Sequence, residues 1–189
     1  NFSGGVLWAK NYTINNNDAL NDITGLDVRE FDNDILICAD YIYNNLAAWR
    51  HILIKTDLNG NEISRGLTNP VPDIASVVLI EGKAKDGGYY ISNTFGFQRK
   101  ELIKINASGN EHWTANLGVD LPSVTPYFIG ETPDGTGVYH SRVDNQISHL
   151  IKLRTSNGTV EWTRLIAPTF TPGLSEFTSS RLFGGAPTS

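Results

Sequence analysis

Ten residues near the middle of the chain, Leu102-Ile103-Lys104-Ile105-Asn106-Ala107-Ser108-Gly109-Asn110-Glu111, recur in altered form on both sides. Upstream stands Leu53-Ile54-Lys55-Thr56-Asp57-Leu58-Asn59-Gly60-Asn61-Glu62. Downstream stand Leu150-Ile151-Lys152, Ser156-Asn157-Gly158 and Glu161-Trp162. Gly60, Gly109 and Gly158 follow one another at intervals of 49 residues, and the Leu-Ile-Lys triplets at 49 and 48. A fixed period of this size restricts the chain to architectures that stack one supersecondary unit repeatedly, and so to propellers or solenoids.

Within a unit the signals are those of short strands. Asp86-Gly87-Gly88 and Asp134-Gly135 separate alternating apolar runs, as does the Phe31-Asp32-Asn33-Asp34 turn of the first unit. Gly and Asn tolerate the positive φ that tight hairpin turns demand, so each such pair marks a hairpin. The middle unit predicts four strands, Ala75 to Glu81, Gly88 to Thr94, Lys100 to Asn106 and Glu111 to Leu117, joined by short turns as an antiparallel meander. The Leu-Ile-Lys strand places Leu102 and Lys104 on one face and Ile103 and Ile105 on the other, a pattern suited to packing on both faces. Asp86 to Leu102 and Asp134 to Leu150 each span 16 residues, whereas Asp32 to Leu53 spans 21. The first unit therefore carries about five extra residues, placed around Tyr43-Asn44-Asn45-Leu46.

Composition narrows the function classes. Twenty acidic against 15 basic residues give a formal charge of -5, and no basic run occurs, which argues against a nucleic-acid partner. The longest apolar stretches fall far short of the roughly 20 residues of a membrane helix, so no membrane insertion is expected. Cys38 is the only cysteine, which excludes an internal disulfide framework. It sits in Ile35-Leu36-Ile37-Cys38-Ala39 and reads as a small buried hydrophobe. The chain starts at Asn1 and contains no Met, which suggests a processed product or an excised segment.

Four-stranded meanders repeating every 48 to 49 residues predict an all-β, β-propeller-like fold, in which each twisted sheet buries both faces against its neighbours. The complete units fall at approximately 22–66, 74–117 and 125–166, within a single domain or domain fragment spanning 1–189. Val6 to Tyr12 reads as the fourth strand, and Glu176 to Phe183 as the first strand, of an incomplete further blade. Three blades cannot close a ring of the usual four to eight. The expectation is that the chain belongs to something longer, or closes by assembling with other copies.

The combination of Leu-Ile-Lys, Asp/Asn-x-x-Gly-Asn-Glu, Trp-Thr and Asp-Gly-Gly-Tyr resembles the degenerate propeller repeats of large secreted and surface proteins, especially those of Bacteroidetes-like bacteria. It covers Val6 to Phe183 and implies an extracellular or cell-surface location. The repeats also look distantly like quinoprotein-type and kelch-type ones. The former would imply a dehydrogenase with bound quinone and calcium, but its tryptophan-docking glycine pattern is incomplete here.

Few residues point to chemistry. Asp57 to Glu62 has the oxygen density of a calcium loop, yet its repeat partners replace Asp57 by Asn106 and Thr155, as a β-turn would allow. Asp18 and Asp22 lie in an Asn/Asp-rich run without the ligand frame of a calcium loop. No cofactor is expected, with calcium the one alternative. Lys55, Lys104 and Lys152 recur at one position and suggest pairing with an acid on the next blade. Trp8, Trp113 and Trp162 could stack on sugars, but their regular spacing favours packing between blades; the second unit has Ser64 at that point. His51, His112, His140 and His149 show no metal-ligand spacing, and no nucleophile elbow or phosphate loop is present.

Tyr41, Tyr43 and Trp49 flank the insertion and break the repeat, which makes them the candidate ligand-binding residues. Asn1, Asn11, Asn106 and Asn157 head Asn-x-Ser/Thr sequons and are candidate glycosylation sites. The sequence-level reading is a non-enzymatic extracellular or cell-surface module with a structural, adhesive or binding role. Its partners would be other protein chains or the rest of a longer chain, and it could enter a filamentous assembly. A carbohydrate-binding lectin-type propeller is the first alternative. A propeller enzyme, quinoprotein-like or glycan-processing, is the second.

Overall fold

The structure is a computed structural model that describes residues 8–12, 23–43, 48–69, 76–95, 99–119, 126–144 and 147–166. The described residues are all-β and contain no helix. The first sheet comprises β1 (Ile23–Phe31), β2 (Asp34–Tyr43), β3 (Ala48–Thr56) and β4 (Glu62–Leu67). The second comprises β5 (Ser76–Lys83), β6 (Tyr89–Phe95), β7 (Arg99–Ile105) and β8 (Glu111–Val119). The third comprises β9 (Pro126–Glu131), β10 (Gly137–Asp144), β11 (Ile147–Arg154) and β12 (Val160–Ile166). Every sheet is an antiparallel meander in sequence order, as the turn spacing requires.

The turns explain the periodic glycines. Gly60, Gly109 and Gly158 close the last hairpin of each sheet with φ of +75°, +89° and +70°, a region costly to any residue with a Cβ. Asp57 Oδ1 accepts from the amides of Asn59 and Asn61, and Asn106 Oδ1 accepts in the same way from Ser108 and Asn110. Aspartate and asparagine therefore serve equally well there. A second regularity follows each turn. The ladder shifts register opposite Lys55, Lys104 and Lys152, so Ile63, His112 and Glu161 are bulged out just before the position of Ser64, Trp113 and Trp162. Such a bulge twists the strand and re-aims the side chain beyond it.

The sheets stack face to face. One face of the second sheet, with Ile80, Tyr89, Ile91, Ile103 and Ile105, shares a core with Leu36, Cys38 and Leu53 of the first. Its opposite face, with Tyr90, Leu102, Trp113, Ala115 and Leu117, shares a core with Val138, Ile151 and Leu153 of the third. The Leu-Ile-Lys strand is thus buried on both sides, down to Lys104 at 4% exposure. Cys38 is buried in the first of these cores, as expected. The first strands of the sheets converge, with β5 lying against both β1 and β9.

One sequence expectation needs adjustment. Residues 8–12 carry no strand assignment; they lie along the first sheet, where Tyr12 packs on Ala39, Ile52 and Ile54. The proposed strand 176–183 lies outside the described residues.

Candidate functional site

The extra residues of the first unit lengthen its central hairpin. The β2–β3 ladder continues through Tyr41↔Arg50, Ile42↔Trp49 and Tyr43↔Ala48, two residue pairs beyond the β6–β7 and β10–β11 hairpins. Tyr41, Tyr43 and Trp49 therefore cluster at the tip of one projecting ribbon. Their side chains lie outside the described part of the structure.

The tryptophans have a different role. Trp113 is buried, and its ring lies directly over Gly158 of the adjacent sheet, with Nε1 donating to the Thr155 carbonyl at 2.8 Å. Trp8 makes a like contact two units earlier, its ring over Gly60 and its Nε1 donating to the Leu58 carbonyl at 3.0 Å. Lys10 Nζ and the Tyr12 hydroxyl add bonds to Asn61 Oδ1 and the Gly60 carbonyl. Between the first and second sheets, where Ser64 replaces tryptophan, the backbone of Gly66 closes directly on Gly109. A sugar could not reach the face of Trp113.

The recurring lysines do not pair as the sequence suggested. Lys55 pairs with Asp34 at 3.3 Å, Lys104 with Asp86 at 2.6 Å and Lys152 with Glu161 at 2.9 Å, each within its own sheet. The reason is register: the ammonium projects beside the turn or bulge of its own meander; towards the next sheet, Lys104 also donates to the Thr155 carbonyl and Lys55 lies 5.6 Å from the centroid of the Tyr89 ring. Other cations cross as well: Arg29 Nη1 of β1 donates to the Glu81 carbonyl at 3.2 Å, and β5 and its turn contribute two more. Lys83 reaches Asp34 at 3.0 Å, and Lys85 donates to the Thr132 and Pro133 carbonyls. Glu131 receives the Tyr90 hydroxyl at 2.6 Å and the Lys85 amide at 3.1 Å.

These contacts set the electrostatics. Burial raises the Asp34 carboxyl, but the bond from Lys83 and the charge of Lys55 outweigh it and hold the group below the usual carboxylate range. Asp86 likewise balances burial against Lys104 and ends low. The Thr132 hydroxyl and the Thr136 amide and hydroxyl bring Asp134 down to about 2. Bonds from Asn61 lower Asp57. Burial first, then the Glu131 carboxylate, pushes the Tyr90 phenol far up. These carboxylates are held by turn amides, hydroxyls and lysines, the arrangement of a structural network.

Among the described residues no group of three His, Cys, Asp or Glu is placed to hold a metal ion. His51 and His140 are fully buried on strands, and His112 stands exposed at the β8 bulge. Asn11 and Asn157 are exposed and Asn106 is half-buried; Asn1 lies outside the described residues. The turn bonds of Asn106 and Asn157 use Oδ1, which leaves Nδ2, the atom a glycan would take, outside them. No protein family and no curated protein matches the sequence.

Proposed function

We propose that the chain is part of a β-propeller scaffold, acting outside the cell or on its surface, that carries a binding hairpin and catalyses no reaction. The observation that supports this most directly is the seating of a tryptophan ring on a glycine turn, Trp113 on Gly158 between the second and third sheets and Trp8 on Gly60 at the outward side of the first. A stack held in that way is rigid, and its first strands converge as those around a propeller axis do. On such a scaffold the part free to vary is the ribbon that exceeds the repeat, here the tip bearing Tyr41, Tyr43 and Trp49. Aromatic residues on a projecting hairpin suit adhesion to a protein surface, where they bring large contact area with few rotatable bonds.

The test is to shorten the β2–β3 hairpin to the length of its counterparts by removing residues 43–47. Beads coated with either protein are then scored for adhesion to immobilised extracellular-matrix proteins and to glycans. The scaffold reading predicts an unchanged far-ultraviolet spectrum, and adhesion to protein that is lost on shortening. Adhesion that survives shortening, or selective binding to glycans, would contradict it.

A further inference from the structure

The outward face of the third sheet repeats, position for position, the face by which the second sheet docks. Tyr90, Leu102, Lys104 and Trp113 correspond to Tyr139, Leu150, Lys152 and Trp162, by the registers Tyr90↔Lys104↔Trp113 and Tyr139↔Lys152↔Trp162. Even the internal geometry is shared, with ring centroids 6.0 Å apart in both Tyr90–Trp113 and Tyr139–Trp162. What differs is cover. The first four are 0–7% exposed, whereas all four counterparts are only half-buried, and no described glycine lies under Trp162.

The complementary surface is also present in this chain. The first sheet presents Ile37, Ile54 and the Gly60 turn on its outward side, at the repeat positions of His140, Ile151 and the Gly158 turn. That side is occupied by residues 8–12, whose ring sits on Gly60 as Trp113 sits on Gly158. The hold is looser, because Trp8 is 37% exposed against 7% for Trp113, and residues 8–12 form no ladder.

We infer that the third sheet of one molecule docks on the first sheet of a second copy, with Trp162 entering the Gly60 turn in place of Trp8. The polar groups match. Two residues beyond each ring stands a cation, Lys10 after Trp8 and Arg164 after Trp162, and Lys10 Nζ bonds Asn61 Oδ1 at 3.2 Å. Arg164 takes over that contact. The interface is heterologous, so copies add head to tail, and a rotation that closes yields a ring. Two copies supply six four-stranded sheets, within the four to eight of closed propellers. The inference deepens the scaffold reading; it is read by self-association and can fail while adhesion through the hairpin persists.

The experiment is sedimentation velocity over a concentration series on the whole chain and three variants. Wild type is expected to associate reversibly. Trp162→Ala, on an exposed face, should weaken association at least tenfold while the circular-dichroism spectrum is unchanged. Arg164→Glu should weaken it less. Trp8→Ala, which uncovers the Gly60 turn, should strengthen it several-fold. Wild type and Trp8→Ala both remaining monomeric at the highest soluble concentration would overturn the inference, including the case in which residues 167–189 of the same chain cover Trp162. Association indifferent to Trp162→Ala would overturn it equally.

Discussion

The Trp113 ring occupies the space into which any side chain at position 158 would project: a Cβ on Gly158 would fall 2.5 Å from Trp113 Cε3. One residue type is therefore required for two reasons, since Gly158 also holds φ at +70°.

The two reasons can be separated by comparison with Gly135, where φ is +71° but the nearest atom to an added Cβ is Lys85 Cδ at 3.8 Å. Gly135→Ala is expected to lose only the backbone cost, about 1–2 kcal/mol. Gly158→Ala adds the overpacking of the ring, about 1–3 kcal/mol more. Urea denaturation of both variants checks this, and equal losses would show that the ring adapts freely.

Restoring the missing tryptophan should not help. The slot over Gly109 is filled by Gly66, whose Cβ, if present, would lie 1.7 Å from the Gly109 carbonyl oxygen. Ser64→Trp is expected to destabilise the fold by about 1–3 kcal/mol, the usual penalty for overpacking. A higher melting temperature would contradict this account of the first interface.

The Tyr90 hydroxyl donates to Glu131 across the second interface at 2.6 Å. Tyr90→Phe keeps the ring beside Trp113 and deletes that bond. The expected loss is about 1.5–3 kcal/mol, as for a hydrogen bond to a charged group. A loss below about 0.5 kcal/mol in chemical denaturation would remove this bond from the interface's supports.

The pH dependence follows from Asp34, whose folded pKa lies below its unfolded value. As pH falls, the unfolded chain takes up the proton first, near about pH 3.9. The stability contributed by Asp34 is therefore complete above about pH 5 and is lost as pH falls through the folded pKa. The lowered Asp57, Asp86, Asp134 and Glu161 act in the same direction. The carboxylate contribution to melting temperature should be constant above about pH 5 and fall below about pH 4. Asp34→Asn should lower the plateau and reduce the slope of the acid limb, and an unchanged slope would exclude Asp34 as a contributor.

Much of this was legible in the sequence because hairpin turns are local. Positive-φ glycines and Asx side chains bond within their own few residues, so the 49-residue spacing of Gly60, Gly109 and Gly158 located the last hairpins directly. The expected strands of the middle unit agree with β5 to β8 within two residues at each end. Contacts between units were less legible. The lysines recur with the repeat, yet the side chain that reaches the nearest acid depends on a bulge, which shifts register without altering the spacing of apolar residues. Lys83 and Lys85 gave no periodic signal. Gly66 stands outside the glycine period, and that irregularity beside the missing tryptophan was the available clue. The aromatic candidates at the hairpin tip were found by the same logic of departure from the repeat.

The central claim is that a tryptophan ring seated on a neighbouring glycine turn couples one sheet to the next. The most direct measurement is a double-mutant cycle on Trp113→Leu and Gly158→Ala by urea denaturation. Once the ring is gone, an alanine at 158 has nothing to displace and costs only its backbone strain. The double variant should therefore be more stable than the sum of the single losses implies, by about 1.5 kcal/mol or more. Additivity within about 0.5 kcal/mol would mean that the two residues do not act on each other, and the coupling claim would be wrong.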